Sequence, residues 1–377
     1  HLDDNARVVF STKPDHYLPP VFTRWEGIEC YNYSPLIYCN GCDNTAITGK
    51  GTFDGQGGAW WQWKVMQTRA RNLLYEMGFK GTPVEKRVFG KTSDALRPAM
   101  IQFINSRNIL LQDYTSTNSP FWTNHIVYSE NVIVRDIKAI NPPNGPNTDG
   151  FNVESSRNVY VTGLYASVGD DGFCVKSGRN EDGRRVARPV ENVVIENCVV
   201  EHSMGGFIIG SEMSGGVENI LVRNCRFIGP DTGLRYKSVR GRGAYARNIY
   251  VRDIEMESIR DSAIHINMFY SPSVDIGGSV LPSEFSDMHF ERIRCKGAND
   301  AIIVDGLPEK PMRGLYMDDI KISSKNGVRL SNVIGANIKG LDLSTDQRPA
   351  IIFEDSSDIS LSSLTPVSPS SEYIGVR

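Results

Sequence analysis

Asn108-Ile-Leu-Leu-Gln-Asp113, Asn131-Val-Ile-Val-Arg-Asp136 and Asn158-Val-Tyr-Val-Thr-Gly163 are three copies of one pattern. An Asn is followed by alternating aliphatic residues and then by a polar turn. The pattern continues at Asn192, Asn219 and Asn248, with spacings of 23, 27, 34, 27 and 29 residues between successive Asn positions. Weaker copies stand at Asn44, Gly314, Asn337 and Asp358. Alternation of apolar and polar residues is the period of a strand, and no unit contains a helix-length pattern. Each unit reads as short strand, turn, short strand, turn. An all-strand repeat of this length predicts a β-helix solenoid. Asn tolerates the left-handed turn conformation, and its amide can bond the next copy, so an internal Asn ladder is expected. Cys198 and Cys225, each six residues after its repeat's Asn, should stack on adjacent coils.

From this repeat, the 377 residues are read as one all-β domain over 1–377 rather than the two or three that length alone suggests. One segment breaks the repeat. Met66, Ala70, Leu73, Leu74 and Met77 follow helical spacing, so residues 60–97 are expected to form a partly helical inserted loop. Insertions in solenoids tend to line the binding face. A net charge of −3, from 41 basic and 44 acidic residues, argues against a nucleic-acid surface. No apolar run is long enough to span a bilayer. Seven cysteines leave at least one unpaired; Cys39-x-x-Cys42 lacks a second ligand pair, so these are expected to be buried small apolar residues. No phosphate-cradling loop or metal motif stands out, so no cofactor is expected. Oligomeric state is not legible.

Several polar residues fall at comparable places in successive repeats. Counted from each Asn, Asp149 lies 18 residues on, Asp170 and Asp171 lie 12 and 13, and Arg235 and Lys237 lie 16 and 18. They are expected to form one strip, about 5 Å apart per coil. Asp170 and Asp171 can share a site only where the backbone bends, which Gly169 and Gly172 would allow. Any one of these Asp-Gly pairs alone is an ordinary turn; together, three carboxylates and two cations permit glycoside hydrolysis. One carboxyl donates a proton to the leaving oxygen and another activates water. Mutual repulsion raises at least one pKa into the working range. Arg235 and Lys237 suit an anionic sugar such as a uronate.

Asn147-Thr-Asp-Gly150, Gly169-Asp-Asp-Gly172 and Arg235-Tyr-Lys237, in that order, resemble the signature of the polygalacturonases of glycoside hydrolase family 28. Trp25-Glu-Gly-Ile-Glu-Cys-Tyr31, Gly49-Lys-Gly-Thr-Phe-Asp-Gly-Gln-Gly57 and the block from Gly205 to Gly216 are similar to its bacterial exo-acting branch. The resemblance covers most of the chain and implies a right-handed parallel β-helix. It implies Asp170 as general acid, Asp149 and Asp171 as the groups that position and deprotonate water, and inversion at the anomeric carbon. It implies that Arg235 and Lys237 bind a galacturonate carboxylate beside the cut. The expected partner is a pectic oligo- or polysaccharide attacked from the non-reducing end, with the 60–97 insertion walling off the cleft. The expected location is secreted or periplasmic.

Two departures stand out. The family's Gly-His-Gly motif is matched by Ser203-Met204-Gly205, and Met can neither titrate nor donate a hydrogen bond. His202 would point to the same side in an ideal strand and is the candidate substitute. The chain also starts abruptly at His1, without an export signal, whereas members of the family it resembles usually carry one or more coils before that point, so the resemblance implies a missing N-terminal coil or coils. Softer candidates are Trp122 and Tyr270 as sugar-stacking rings and Glu212 as a contact to substrate hydroxyls. His125 and His265 read as structural. Three alternatives stay open: hydrolysis of rhamnogalacturonan or another acidic polysaccharide, a binding homologue that lost turnover with the His-to-Met change, and a β-helical lyase. The ordered Asp motifs speak against the lyase.

Overall fold

The computed structural model describes residues 1–270, 281–365 and 373–376. The chain winds as a right-handed parallel β-helix. Each coil carries three strands, one more than the repeat suggested. The first face runs through Ile101–Ile104, Asn124–Val127, Phe151–Glu154, Asp171–Lys176, Gly205–Gly210 and Thr232–Lys237. The second runs through Arg107–Gln112, Glu130–Arg135, Arg157–Thr162 and Val190–Glu196. The third is built from pieces such as Thr115–Thr117, Lys138–Ile140 and Tyr165–Ser167. A piece that short holds too few residues for a period-2 pattern to show. In later coils the faces merge into longer strands, Val217–Ile228 and Tyr245–Glu257.

Like residues stack along the helix axis. Val132, Val159, Val193, Ile220, Ile249 and Met288 occupy one register position on successive coils, all buried. Burying each such side chain contributes roughly 1.5–3 kcal/mol, which makes coil-on-coil stacking the main source of stability. Cys198 and Cys225 are buried neighbours on adjacent coils, as expected. All seven cysteines are free thiols. Cys39 and Cys42 are only half-buried; Cys39, in the strand Ile37–Asn40, packs against the core from its edge, and Cys42 lies in the turn after it.

The Asn ladder exists, but on the outside. Asn108, Asn131, Asn158, Asn192, Asn219 and Asn248 have φ of 55° to 57°, and all are exposed except the half-buried Asn248. Each donates its side-chain N–H to the previous Asn at 3.0–3.3 Å. The left-handed residue sits where the coil turns from its first face to its second, and a side chain there projects outward. Behind it lies a hidden Ser ladder. The Oγ atoms of Ser106, Ser129 and Ser156 accept the backbone N–H groups of Cys42, Ser106 and Ser129 at 3.1, 3.2 and 2.9 Å.

The inserted segment forms two helices, Trp63–Met66 and Thr68–Phe79. Ala70 and Leu74 are buried as the spacing predicts, while Met66 and Leu73 are exposed. The buried pair packs with Trp25, Ile28, Phe121 and Trp122. The first two belong to an antiparallel hairpin, Val21–Trp25 with Ile28–Asn32, that stands beside the solenoid. Among the described residues, no helix is long and apolar enough to cross a membrane.

Candidate active site

A cleft of about 940 Å³ opens on the first face. Asp149, Asp170, Asp171, Arg235, Lys237, Met204, Glu212, Trp122 and Tyr270 all line it, and so does the Thr68–Phe79 helix. His202 does not. It sits exposed at φ 48°, and that left-handed turn breaks the alternation that would have aligned it with Met204.

Asp149 and Asp171 lie one coil apart, since the Asp171 carbonyl accepts the Gly150 N–H at 2.9 Å. With the Cys174 Sγ, their carboxylate oxygens form a buried group whose atoms lie within 4.8 Å of one another. Asp170 precedes the strand that begins at Asp171, and one of its oxygens accepts the Asp171 N–H at 2.9 Å. The flanking glycines serve close packing rather than a left-handed bend. A Cβ on Gly169 would meet the Gly145 carbonyl at 2.3 Å, and one on Gly172 would meet Val200 at 2.5 Å.

The expected strip is not strict. In register, Asp171 pairs with Gly205 and Gly205 with Thr232, so Arg235 and Lys237 lie farther along their strand. Lys237 reaches the site through its length, its Nζ lying 2.6 Å from Asp171 Oδ2. Tyr270 lies beneath both cations: the Lys237 Nζ is 5.2 Å from its ring centroid and the Arg235 guanidinium 5.4 Å. Among the described residues Arg235 forms no ion pair.

These contacts split the carboxyls into two roles. Burial alone would raise the pKa of Asp171, but the Lys237 and Lys176 ammonium groups hold it below the usual range. Burial and the neighbouring Asp170 charge push Asp149 well up. Burial and the Asp171 charge push Asp170 up. The three are electrostatically coupled: the ammonium groups favour charge on Asp171, while burial and repulsion favour the protonated forms of Asp149 and Asp170. One buried oxygen each of Asp149 and Asp171, the Oδ1 atoms, lacks a hydrogen-bond partner in the protein.

Lys176 escaped the sequence reading. Its parity was visible, because Phe173 and Val175 face the core and Cys174 and Lys176 face out. Its Nζ bonds the Gly210 carbonyl at 3.0 Å and Glu212 at 3.2 Å, and it lies 5.0 Å from the Trp122 ring centroid. Glu212 is enclosed by Lys176, Ser211 and Arg179, the last at 2.6 Å, so its carboxylate ties the cleft wall together. Burial would raise its pKa, but these cations hold it low. The Trp122 ring is 3% exposed and stacked on Phe121, a packing position at the edge of the cleft. His125 is buried between Gln102 and Glu154, at 3.0 and 2.8 Å. His265 stands 3.5 Å from Asp305. Neither lines the cleft.

The family model "Glycosyl hydrolases family 28" matches residues 87–345. A probable polygalacturonase of Vitis vinifera is 29% identical over 313 residues, 80% of this chain and 57% of that protein. An exo-poly-alpha-D-galacturonosidase of Dickeya chrysanthemi is 23% identical over 258 residues, 66% of this chain and 42% of that protein. The chain thus spans about half the length of these curated relatives. The hyperthermoactive exopolygalacturonase of Thermotoga maritima superposes with a TM-score of 0.79 at 33% identity, covering 94% of this chain and 79% of the other. A family 28 exopolygalacturonase of Yersinia enterocolitica shares the fold, with a TM-score of 0.71 at 18% identity over 100% of this chain and 69% of the other. A model that covers most of the chain, together with the Thermotoga relative, shows that the chain belongs to the glycosyl hydrolases of family 28.

Proposed function

We propose that the chain is an inverting glycoside hydrolase that cleaves galacturonic-acid linkages in pectic oligo- or polysaccharides. The observation that carries this reading is the split among the three carboxyls on the floor of a cation-lined cleft. Asp170 donates its proton to the leaving oxygen. Asp171, kept ionised by Lys237, takes a proton from water held between it and Asp149, whose unused buried oxygens are the acceptors such a water needs. Arg235 takes the carboxylate of the uronate beside the cut. Its place over the Tyr270 ring supports that role. The exopolygalacturonase relatives and the helix Thr68–Phe79 along the cleft support attack from a chain end. A pectic substrate puts the enzyme outside the cytoplasm, secreted or periplasmic.

The test is incubation with galacturonan oligomers, following product size by chromatography and the anomer first formed by NMR. Monomer release with inversion is expected. Preference for rhamnogalacturonan would redirect the substrate, and retention would overturn the mechanism. One observation favours a second reading, a binding homologue: Met204, 44% exposed, lines the cleft where the family motif has His. Oligomer binding without release, and a large gain in rate in Met204→His, would select it.

A further inference from the structure

Asn147 stands between the catalytic floor and the insertion. Its Nδ2 donates to Asp170 Oδ2 at 3.3 Å, and its Oδ1 accepts from Arg97 Nη2 at 2.8 Å and from the Lys64 ammonium. Both cations come from the segment between the Thr52–Asp54 and Ile101–Ile104 strands, far from the Asp motifs in sequence. Arg97 is fully buried and anchored to the Pro120 and Pro146 carbonyls and to Gln67.

We propose that Lys64 and Arg97 are positioning residues for the Asp170 carboxyl, acting through the Asn147 amide. The proposal rests on the reading of Asp170 as general acid. A side-chain amide can point either way, but ammonium and guanidinium groups only donate. With both on one side, the Asn147 oxygen must face them and its N–H₂ must face Asp170. The two Asp170 oxygens then each receive a donor from the protein, the Asp171 N–H and the Asn147 N–H. The acid's proton is left on a lone pair directed into the cleft, where a leaving oxygen would sit. Without the cations, the amide can turn and accept that proton itself, which stabilises the acid in a hydrogen bond that transfers nothing.

The charged groups acting on Asp170 are Asp149 and Asp171, which oppose its ionisation, and Lys237, Lys176, Lys64 and Arg97, which favour it. Loss of either cation loosens the hold on the amide and removes a charge that favours ionisation, so it raises the pKa of the acid. The alkaline limb of activity, which reports that proton, moves to higher pH.

The experiment compares wild type, Lys64→Met, Lys64→Arg and Arg97→Lys. It uses kcat and KM against pH on galacturonan oligomers, and ¹³C-carboxyl NMR titration of Asp170, assigned by its loss in Asp170→Asn. Lys64→Met is expected to lower kcat about tenfold, with KM changed by less than about threefold. Its alkaline limb and Asp170 midpoint should both rise by roughly half a pH unit or more. Lys64→Arg restores both, and Arg97→Lys, which keeps a donor if the buried site refolds around it, falls between. An unchanged midpoint and limb in Lys64→Met, with only a lowered Tm, would overturn the proposal. If wild type releases no product, the general-acid reading fails, and the NMR midpoint still decides whether Lys64 acts on Asp170.

Discussion

Lys237 Nζ and Asp171 Oδ2 lie 2.6 Å apart, with both side chains buried. This pairing favours the ionised form of Asp171 while burial and repulsion push Asp149 and Asp170 the other way, and the proposed chemistry rests on that asymmetry.

Removing the cation by Lys237→Met should raise the pKa of Asp171, because burial then acts unopposed by its nearest partner. A general base works only when deprotonated, so the acid limb of kcat/KM moves to higher pH, by about one unit or more. Activity at the optimum falls by roughly a hundredfold. A pH–rate profile on galacturonan oligomers measures both, and an acid limb that stays in place would argue against Asp171 as the base.

Asp170→Asn keeps the shape and removes the acid. Turnover is expected to fall by roughly 10²–10⁴-fold. Folding obliges Asp170 to hold a proton that the unfolded chain has already lost at neutral pH, and Asn removes that cost, so Tm should rise by a few degrees, a trade of stability for function. Product release and thermal melts on one preparation check the pair of outcomes.

Glu154 lies in a buried network, with Arg24 at 3.4 Å and His125 at 2.8 Å. Burial would raise its pKa, but Arg24 and His125 hold it below the usual range. A depressed carboxylate contributes stability that is full above its unfolded pKa of about 4.3 and is lost as pH falls through the folded value. Burial meanwhile lowers the pKa of His125, so its contribution begins to fade below about pH 6.5. The contribution of this network should therefore begin to fade below about pH 6.5 and fall further below about pH 4.3. Glu154→Ala strands a buried guanidinium and costs about 3–5 kcal/mol at pH 7, and its gap to wild type narrows in acid. Denaturant melts at several pH values give both numbers.

Asn158 tests the outer ladder. Ala loses the amide bonds to Asn131 and Asn192 and also strains a φ of 55°. Gly loses only the bonds. Asn158→Ala should thus be the more destabilising, by about 1–2 kcal/mol over Asn158→Gly. Equal losses in chemical denaturation would mean that the left-handed turn costs nothing here.

The strand repeat, the insertion and the motif residues could be read directly, because alternation, helical spacing and turn chemistry act within a few residues. The third strand of each coil was too short to leave a pattern, and the side of the coil wall on which Asn falls was read as internal when it is external. At the site, Asp149, Asp170, Asp171, Arg235 and Lys237 were legible as a set. Lys176 was visible only as an outward parity, and Lys64 and Arg97 left no signal near the Asp motifs.

What the sequence determined by itself is the order of events along each coil: where strands begin, where the chain turns left-handed, and which residue types meet the first face. What only the tertiary structure decided is what stands above what. Coils closed by turns of unequal length shift against one another, which puts Thr232 over the Asp171 position and leaves Lys237 to reach back with its long side chain. An insertion folded across the cleft puts Lys64 and Arg97 on Asn147. Local propensity is set by neighbours in the chain, whereas register and long-range charge contact are set by loop lengths and packing, which no short stretch of sequence contains.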